Sequence, residues 1–199
     1  MTIRQSIQLG DPRLKAKNKA ILDFADSTFK HVVRDLVDTM HQLDLIGMAA
    51  PQIGENYLIF VTEPRKTKVR PADQSDKLRV YINPKIVYTS KENSILYEGC
   101  GSVVKDREST IFGPVNRPKI VTVEAFDLNG KKFRITADGI LGRVLQHEMD
   151  HLIGIEFIEK ISDYRKMLSK EFYISKIKPD PEFIKASKIT VKKVVLDVK

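Results

Sequence analysis

Apolar and polar positions recur with two different periods along this chain, and each change of period marks an element. Between residues 27 and 43, Phe29, Val32, Val33, Leu36, Met40 and Leu43 return at three- and four-residue spacing, predicting an amphipathic helix capped by Asp26 or Ser27. Residues 46–54 are small and turn-rich, and glycine there lets the backbone approach a neighbour closely. Residues 57–62 read as a strand, and 63–78, with Pro64 and Pro71, as a polar surface loop. Two short strands, 79–82 and 86–88, are expected around Asn83-Pro84. Residues 94–97 lead into Glu98-Gly99-Cys100-Gly101-Ser102, and 105–118 is charged and turn-rich. The alternation over 120–125, the turn Asp127-Leu128-Asn129-Gly130 and the run 133–136 predict a hairpin. Asp138 can cap a helix over 139–153, with Leu141, Leu145 and Leu152 on its apolar side and Gly154 at its end. A second helix is expected over 163–177, with Tyr164, Leu168 and Phe172 on one face and Pro179 and Pro181 beyond it. Residues 189–198 fit helix or strand equally. Strands in number with one central helix predict an α+β fold.

Composition narrows this little. A length of 199 residues suits one domain, and 42% hydrophobic with 30% charged residues is ordinary for a globular chain. No apolar run reaches about 18 residues, so no membrane span is expected. Met1-Thr2-Ile3-Arg4-Gln5 lacks the apolar core of a secretory signal. The expected compartment is the cytoplasm, with an organelle after processing left open. The net charge is +8, and residues 161–199 hold ten Lys or Arg against five Asp or Glu. That asymmetry reads either as solubility or as attraction to a polyanion; no aromatic ladder accompanies it.

The chemistry concentrates in few residues. Cys100 is the single cysteine, so it forms no internal disulfide, and two of the four histidines fall in His147-Glu148-Met149-Asp150-His151. On a helix, positions i and i+4 share a face, so the two imidazoles can take two corners of a metal site while Glu148 lies beside them to move protons. A third ligand is still required. Glutamates follow His151 but no histidine does, and Cys100 is the other candidate. Its flanking Gly99 and Gly101 allow a sharp turn close to a metal, which favours the cysteine. Asp150 falls off the histidine face and is expected to be structural. Glu98, paired with Arg117, is expected to hold the cysteine turn. His31 and His41 read as solvated or core-edge residues.

Three ordered segments together resemble the peptide deformylase family: Leu45-Ile46-Gly47-Met48-Ala49-Ala50-Pro51-Gln52, Glu98-Gly99-Cys100-Gly101-Ser102 and His147-Glu148-Met149-Asp150-His151. Gly10-Asp11-Pro12-Arg13-Leu14 is similar to the family's N-terminus, and the resemblance covers about residues 5–175. Two positions depart from the pattern: Leu45 stands where the family has glycine, and Gly101 where it has leucine. The resemblance implies antiparallel or mixed sheets packed around the helix that carries the histidines. It implies a catalytic domain over 1–160, with a basic C-terminal helix and tail over 161–199 packed on it or extending from it.

The implied activity is hydrolysis of the formyl group from the N-terminal formylmethionine of nascent polypeptides by a metal-activated water. Cys100, His147 and His151 would be the ligands and Glu148 the proton carrier. Gln52 and the Gly101 N–H would hold the oxyanion, and Ile46, Gly47 and Val144 would border the methionine pocket. The implied metal is Fe²⁺, with Zn²⁺ or Ni²⁺ able to occupy purified protein, and the implied partner is the ribosome near its exit tunnel, with the enzyme a monomer. Two rival readings are a HExxH metallopeptidase with another third ligand, and a deformylase-like module that binds the ribosome without catalysis.

Overall fold

A computed structural model describes residues 3–67, 70–103 and 109–198. Its main layer is a six-stranded antiparallel sheet in the order β1 (Gly47–Ala49), β2 (Ile59–Thr62), β3 (Arg79–Thr89), β6 (Val121–Phe126), β7 (Lys132–Ala137) and β9 (Lys192–Leu196). A smaller antiparallel sheet joins β4 (Asn93–Glu98), β5 (Ile111–Pro118) and β8 (Leu168–Ser169). The helices are α1 (Ser27–Gln42), α2 (Gly139–Leu152), the single turn α3 (Lys170–Phe172) and α4 (Pro181–Ser187). The architecture is α+β, as the periodicities predict.

Strand alternation explains why the larger sheet carries a helix on each face. Phe60 and Tyr81, register partners whose rings stack at 4.4 Å, face the cluster that includes Leu141, Leu145 and Leu152 of α2. Their neighbours Ile59, Val61 and Ile82 face Phe29, Val33, Leu36 and Met40 of α1. Each of these side chains removed from water contributes roughly 1.5–3 kcal/mol before the entropy of ordering is counted. Asp26 caps α1 by accepting from the Thr28 N–H, and Gly154, at φ 73°, follows the end of α2.

Four expectations need correction, and one open choice is resolved. The two short strands at 79–82 and 86–88 are one strand, β3, with register shifts that absorb Asn83-Pro84; Asn83 takes φ 49° and binds both polar groups of Ile21 through its amide. More than half of the turn-rich stretch is strand β5, because Asn93–Glu98 pairs with its residues 113–118 and β8 with Ile111 and Phe112; residues 104–108 lie outside the described residues. Asp138 occupies the N-cap position of α2, but its side chain makes no capping bond. Its carboxylate instead accepts from the Thr190 N–H, the Val191 N–H and the Thr190 hydroxyl. That interaction leads the ambiguous 189–198 stretch into β9, a strand paired with β7. The helix expected from 163 starts only at Lys170, where the Ser169 hydroxyl caps it, and continues as one wider turn over Tyr173–Ile177. Before it, Asp163 caps a separate short turn over Tyr164–Lys166, and Leu168 pairs with Phe112. The stripe that suggested the longer helix is not its buried face: Tyr164 and Phe172 are exposed, whereas Tyr173 is buried and stacks on Phe112 at 3.9 Å.

Candidate active site

Three elements converge on one buried cluster. Helix α2 places His147 and His151 a turn apart on the same side. Strand β4 ends at Glu98, and the turn after it brings in Cys100. The short turn Ala50–Ile53 after β1 supplies Gln52. One potential ligand atom from each of Cys100, His147 and His151 lies within 4.8 Å of the others, and all three residues are buried. Cys100 Sγ is 3.3 Å from His151 Nε2.

A carboxylate lies behind each imidazole, and the one behind His147 is within hydrogen-bond distance. His147 Nδ1 is 2.9 Å from Glu98 Oε2, and His151 Nδ1 is 3.4 Å from Glu156 Oε1. Glu98 is itself gripped. Arg117 donates to both its oxygens at 2.6 and 2.9 Å, and Arg143 donates to one at 3.1 Å. Arg117 also donates to Asp150 at 2.5 Å, so Asp150 supports the network from the far side of the helix. The pair expected between Glu98 and Arg117 is present. Arg143 and Glu156, which join it, carry no motif signal: an arginine on a helix face and a glutamate past its end become recognisable only once the chain is folded.

Electrostatics in the cluster follow from burial and charge. Burial opposes ionisation of the Cys100 thiol, but the two imidazoles overcome it and bring its pKa down to about 6. Burial would likewise discharge His147, yet Cys100 and Glu98 raise its pKa to about 10, and His151 is shifted in the same direction. Burial raises Glu148 to about 7, against the pull of both imidazoles. The thiol is drawn toward its anion and the imidazoles toward their cations, so a divalent cation can take the place of the imidazole protons beside the thiolate. Thiolate and imidazole donors suit Zn²⁺ or Fe²⁺ by softness. Among the described residues Glu148 Oε2, buried beside the cluster, has no hydrogen-bond partner, so the donor set and this carboxylate both fit a metal with an open position.

The first motif shapes the space in front of that carboxylate. A Cβ at Gly47 would lie 2.5 Å from both Glu148 Oε1 and Val144 Cγ2, so only glycine lets β1 pass this close to α2. The Gln52 amide is fixed at both ends: its oxygen accepts from the Ala49 N–H at 2.8 Å, and its nitrogen donates toward Ser102 Oγ at 3.2 Å and Cys100 Sγ at 3.4 Å. The two departures from the family pattern prove to be neighbours. A Cβ at Gly101 would meet Leu45 Cδ1 at 3.0 Å, so the Leu45 side chain fills the space above Gly101. From the other side Ser6 Oγ and Gln8 Nε2 both donate to the Gly101 carbonyl, at 3.1 and 3.0 Å. The Ile7 N–H donates to Gln52 O and the Leu9 N–H to Ser102 O, both at 2.7 Å. The peptide of a flexible residue is thereby held from two sides.

A cavity of about 240 Å³ opens onto the cluster. Ile46, Gly47, Gln52, Cys100, Gly101, Val144, His147 and Glu148 all line it. His151 and His41 do not line it, and His41 is exposed, 2.5 Å from Glu63.

A thiol and two imidazoles around one point, a partnerless carboxylate beside them and a cavity in front define a metal-dependent hydrolase of the His-Glu-x-x-His type. Comparison with known proteins is specific. Residues 3–167 match the family model for polypeptide deformylase. Peptide deformylase of Polynucleobacter necessarius subsp. necessarius (strain STIR1) is 37% identical over 156 residues, 78% of this chain and 84% of that protein. Peptide deformylase of Thermomicrobium roseum is 40% identical over 163 residues, covering 82% and 88%. The crystal structure of a peptide deformylase from Synechococcus elongatus in complex with actinonin superposes with a TM-score of 0.68 at 34% identity, covering 80% of this chain and 79% of that one. The chain belongs to the polypeptide deformylase family. Its activity is metal-dependent hydrolysis that removes the formyl group from formylmethionine of nascent peptides.

Proposed function

We propose that Cys100, His147 and His151 hold the metal and that Glu148, Gln52 and Gly101 carry out the deformylation. The observation that carries this reading is the buried Glu148 Oε2, without a hydrogen-bond partner among the described residues, on a side chain that lines the cavity with Cys100 and His147. The metal, when bound, supplies Lewis acidity to water and to the formyl carbonyl. Glu148 takes a proton from the attacking water, and its raised pKa suits a group that must accept and then return one. The Gln52 amide and the Gly101 N–H are the donors for the formyl oxygen as it gains charge. Glu148 then delivers the proton to the amine nitrogen as the carbon–nitrogen bond breaks, leaving formate and a free N-terminal methionine. Ile46, Gly47 and Val144 border the methionine side chain. The closeness of β1 to α2 keeps the site too narrow for bulkier acyl groups.

The metal in the cell is Fe²⁺ in this reading, with Zn²⁺ or Ni²⁺ taking the same thiolate and imidazole donors in purified protein. The enzyme works in the cytoplasm as a monomer, close to the ribosomal exit tunnel. The excess of Lys and Arg over 161–199 supports a salt-sensitive attraction to ribosomal RNA. No helix among the described residues is long and apolar enough to cross a membrane. Cosedimentation with ribosomes should weaken when exposed Lys185 and Lys193 are both changed to Glu. Unchanged cosedimentation would remove the ribosome from this proposal.

The deciding experiment is formate release from a formyl-Met tripeptide by anaerobically iron-loaded protein. Glu148→Ala should lower kcat by about 10²–10⁴-fold while the metal stays bound. Full activity in that variant would reject the role of Glu148. A Cys100→Ala protein that keeps its metal would instead favour the metallopeptidase arrangement.

A further inference from the structure

The inner end of the cavity is built by the family's motifs, but its outer end is not. Lys170, Tyr173, Ile174 and Lys178 line it, and they lie beyond the 3–167 span that the family model matches. The stack of Tyr173 on Phe112 and the edge contact of Phe183 on Tyr173 hold this segment against the smaller sheet. Arg70 lines the cavity beside it, in electrostatic contact with Tyr173 and Lys178.

Arg70 and Lys178 are only partly exposed, and neither has a carboxylate within ion-pair distance among the described residues. Among the described residues the Arg70 guanidinium donates only to the Arg65 carbonyl, at 3.2 Å, and the Lys178 ammonium lies 5.9 Å from the Tyr173 ring centre. The acid that both feel, Asp44, is already engaged by Arg65 at 3.1 Å. Burial holds both cations below their ordinary pKa, and Arg70 adds to the effect at Lys178. Partly buried cations without a counter-charge are costly, and a carboxylate brought by a ligand removes that cost.

We propose that Arg70 and Lys178 form an acidic-residue subsite, which makes this enzyme prefer formylmethionyl peptides carrying Asp or Glu at the second or third position. The proposal rests on the deformylase reading, because the peptide must enter with its formyl end at Glu148 and its following residues directed outward.

The test uses C-terminally amidated tripeptides, so that no terminal carboxylate competes: formyl-Met-Glu-Ala and formyl-Met-Ala-Glu, each beside its Gln counterpart. At about 50 mM salt the better Glu peptide should exceed its Gln counterpart in kcat/KM by about 5- to 20-fold, mainly through KM, and the ratio should shrink at about 500 mM. In the double variant R70Q/K178Q the ratio should approach one. In K178E the preference should turn toward a Lys peptide. Equal kcat/KM for Glu and Gln at low salt, or a preference unchanged in R70Q/K178Q, overturns the subsite while leaving the deformylase activity standing. Failure to release formate from any peptide strikes the deformylase reading instead. Calorimetric binding of the same peptides to metal-loaded Glu148→Ala protein then decides the subsite separately: tighter binding of Glu peptides supports it, and equal binding rejects it.

Discussion

The two ends of the cavity treat charge in opposite ways. At the metal end the charges behind the ligands are paired: Glu98 with Arg117 and Arg143, and Asp150 with Arg117 and, at 3.3 Å, with Lys160. At the mouth, Arg70 and Lys178 have no carboxylate partner among the described residues. The difference follows from function in each place. Charges that must fix the angle of an imidazole have to be satisfied within the protein, since any freedom there would blur the metal geometry. A charge meant to meet a ligand is more useful when the protein leaves it unsatisfied. Neighbours reflect this too. Arg117 is driven up in pKa by its two carboxylates despite burial, whereas burial prevails at Arg70.

The sharpest way to break the comparison is at Glu98. Glu98→Gln leaves Arg117 and Arg143 buried without their shared carboxylate, and should destabilise the protein by about 3–5 kcal/mol in chemical denaturation. It should also weaken metal affinity by about 10–100-fold, because His147 loses the carboxylate charge that orients it. A loss below about 1 kcal/mol would mean that water reaches the network and that the paired end is less closed than its geometry indicates.

Next in size is the pair that departs from the family pattern. Gly101→Leu should cost about 1–3 kcal/mol by overpacking against Leu45, together with a drop in kcat as the Gly101 peptide shifts. Adding Leu45→Gly should recover part of both losses, with a coupling of about 0.5–3 kcal/mol in a double-mutant cycle. Purely additive effects would show that the two residues fill separate spaces.

A smaller effect concerns the tail. Asp76 accepts from Arg79 at 2.8 Å and from Lys192 at 3.0 Å. Burial opposes its ionisation, but these partners hold its pKa below the ordinary aspartate value. A carboxyl with a depressed folded pKa contributes stability that is present above its unfolded pKa and is lost as pH falls through the folded one. Hydrogen-exchange protection of β9 should therefore decline as pH drops below the ordinary aspartate range. In Asp76→Asn that part of the decline should disappear.

The smallest effect is expected at the mouth. Arg70→Gln with Lys178→Gln should change stability by no more than about 0.5 kcal/mol, or raise it slightly, since unpartnered partly buried cations contribute little to the fold. A strongly destabilised double variant would show that these cations serve the fold and would erase the contrast with Glu98.

Much of the catalytic half was legible before folding. His147, Glu148 and His151 are tied by the pitch of a single helix, so four residues of spacing already put them on one face. Cys100 stood out as a lone cysteine between two glycines, and Gln52 as the end of a motif. Local period also sufficed for α1, α2 and the β6–β7 hairpin, whose signals lie within one window of chain. Asp138 and the 163–177 stretch were misread because their partners lie far away in sequence: Thr190 and Val191 compete for the Asp138 carboxylate, and Phe112 selects Tyr173 over Tyr164 and Phe172.

The sequence by itself determined the class of chemistry, because metal ligation and proton transfer need particular residue types at a spacing that one helix and one turn impose. Only the tertiary structure decided what stands around them. Leu45 fills the space above Gly101, Arg143 and Glu156 join the ligand supports, and a basic tail becomes a cavity wall. These relations join segments tens of residues apart, and no local period encodes them; they arise when long-range strand pairing closes the chain and brings surfaces with no common pattern into contact.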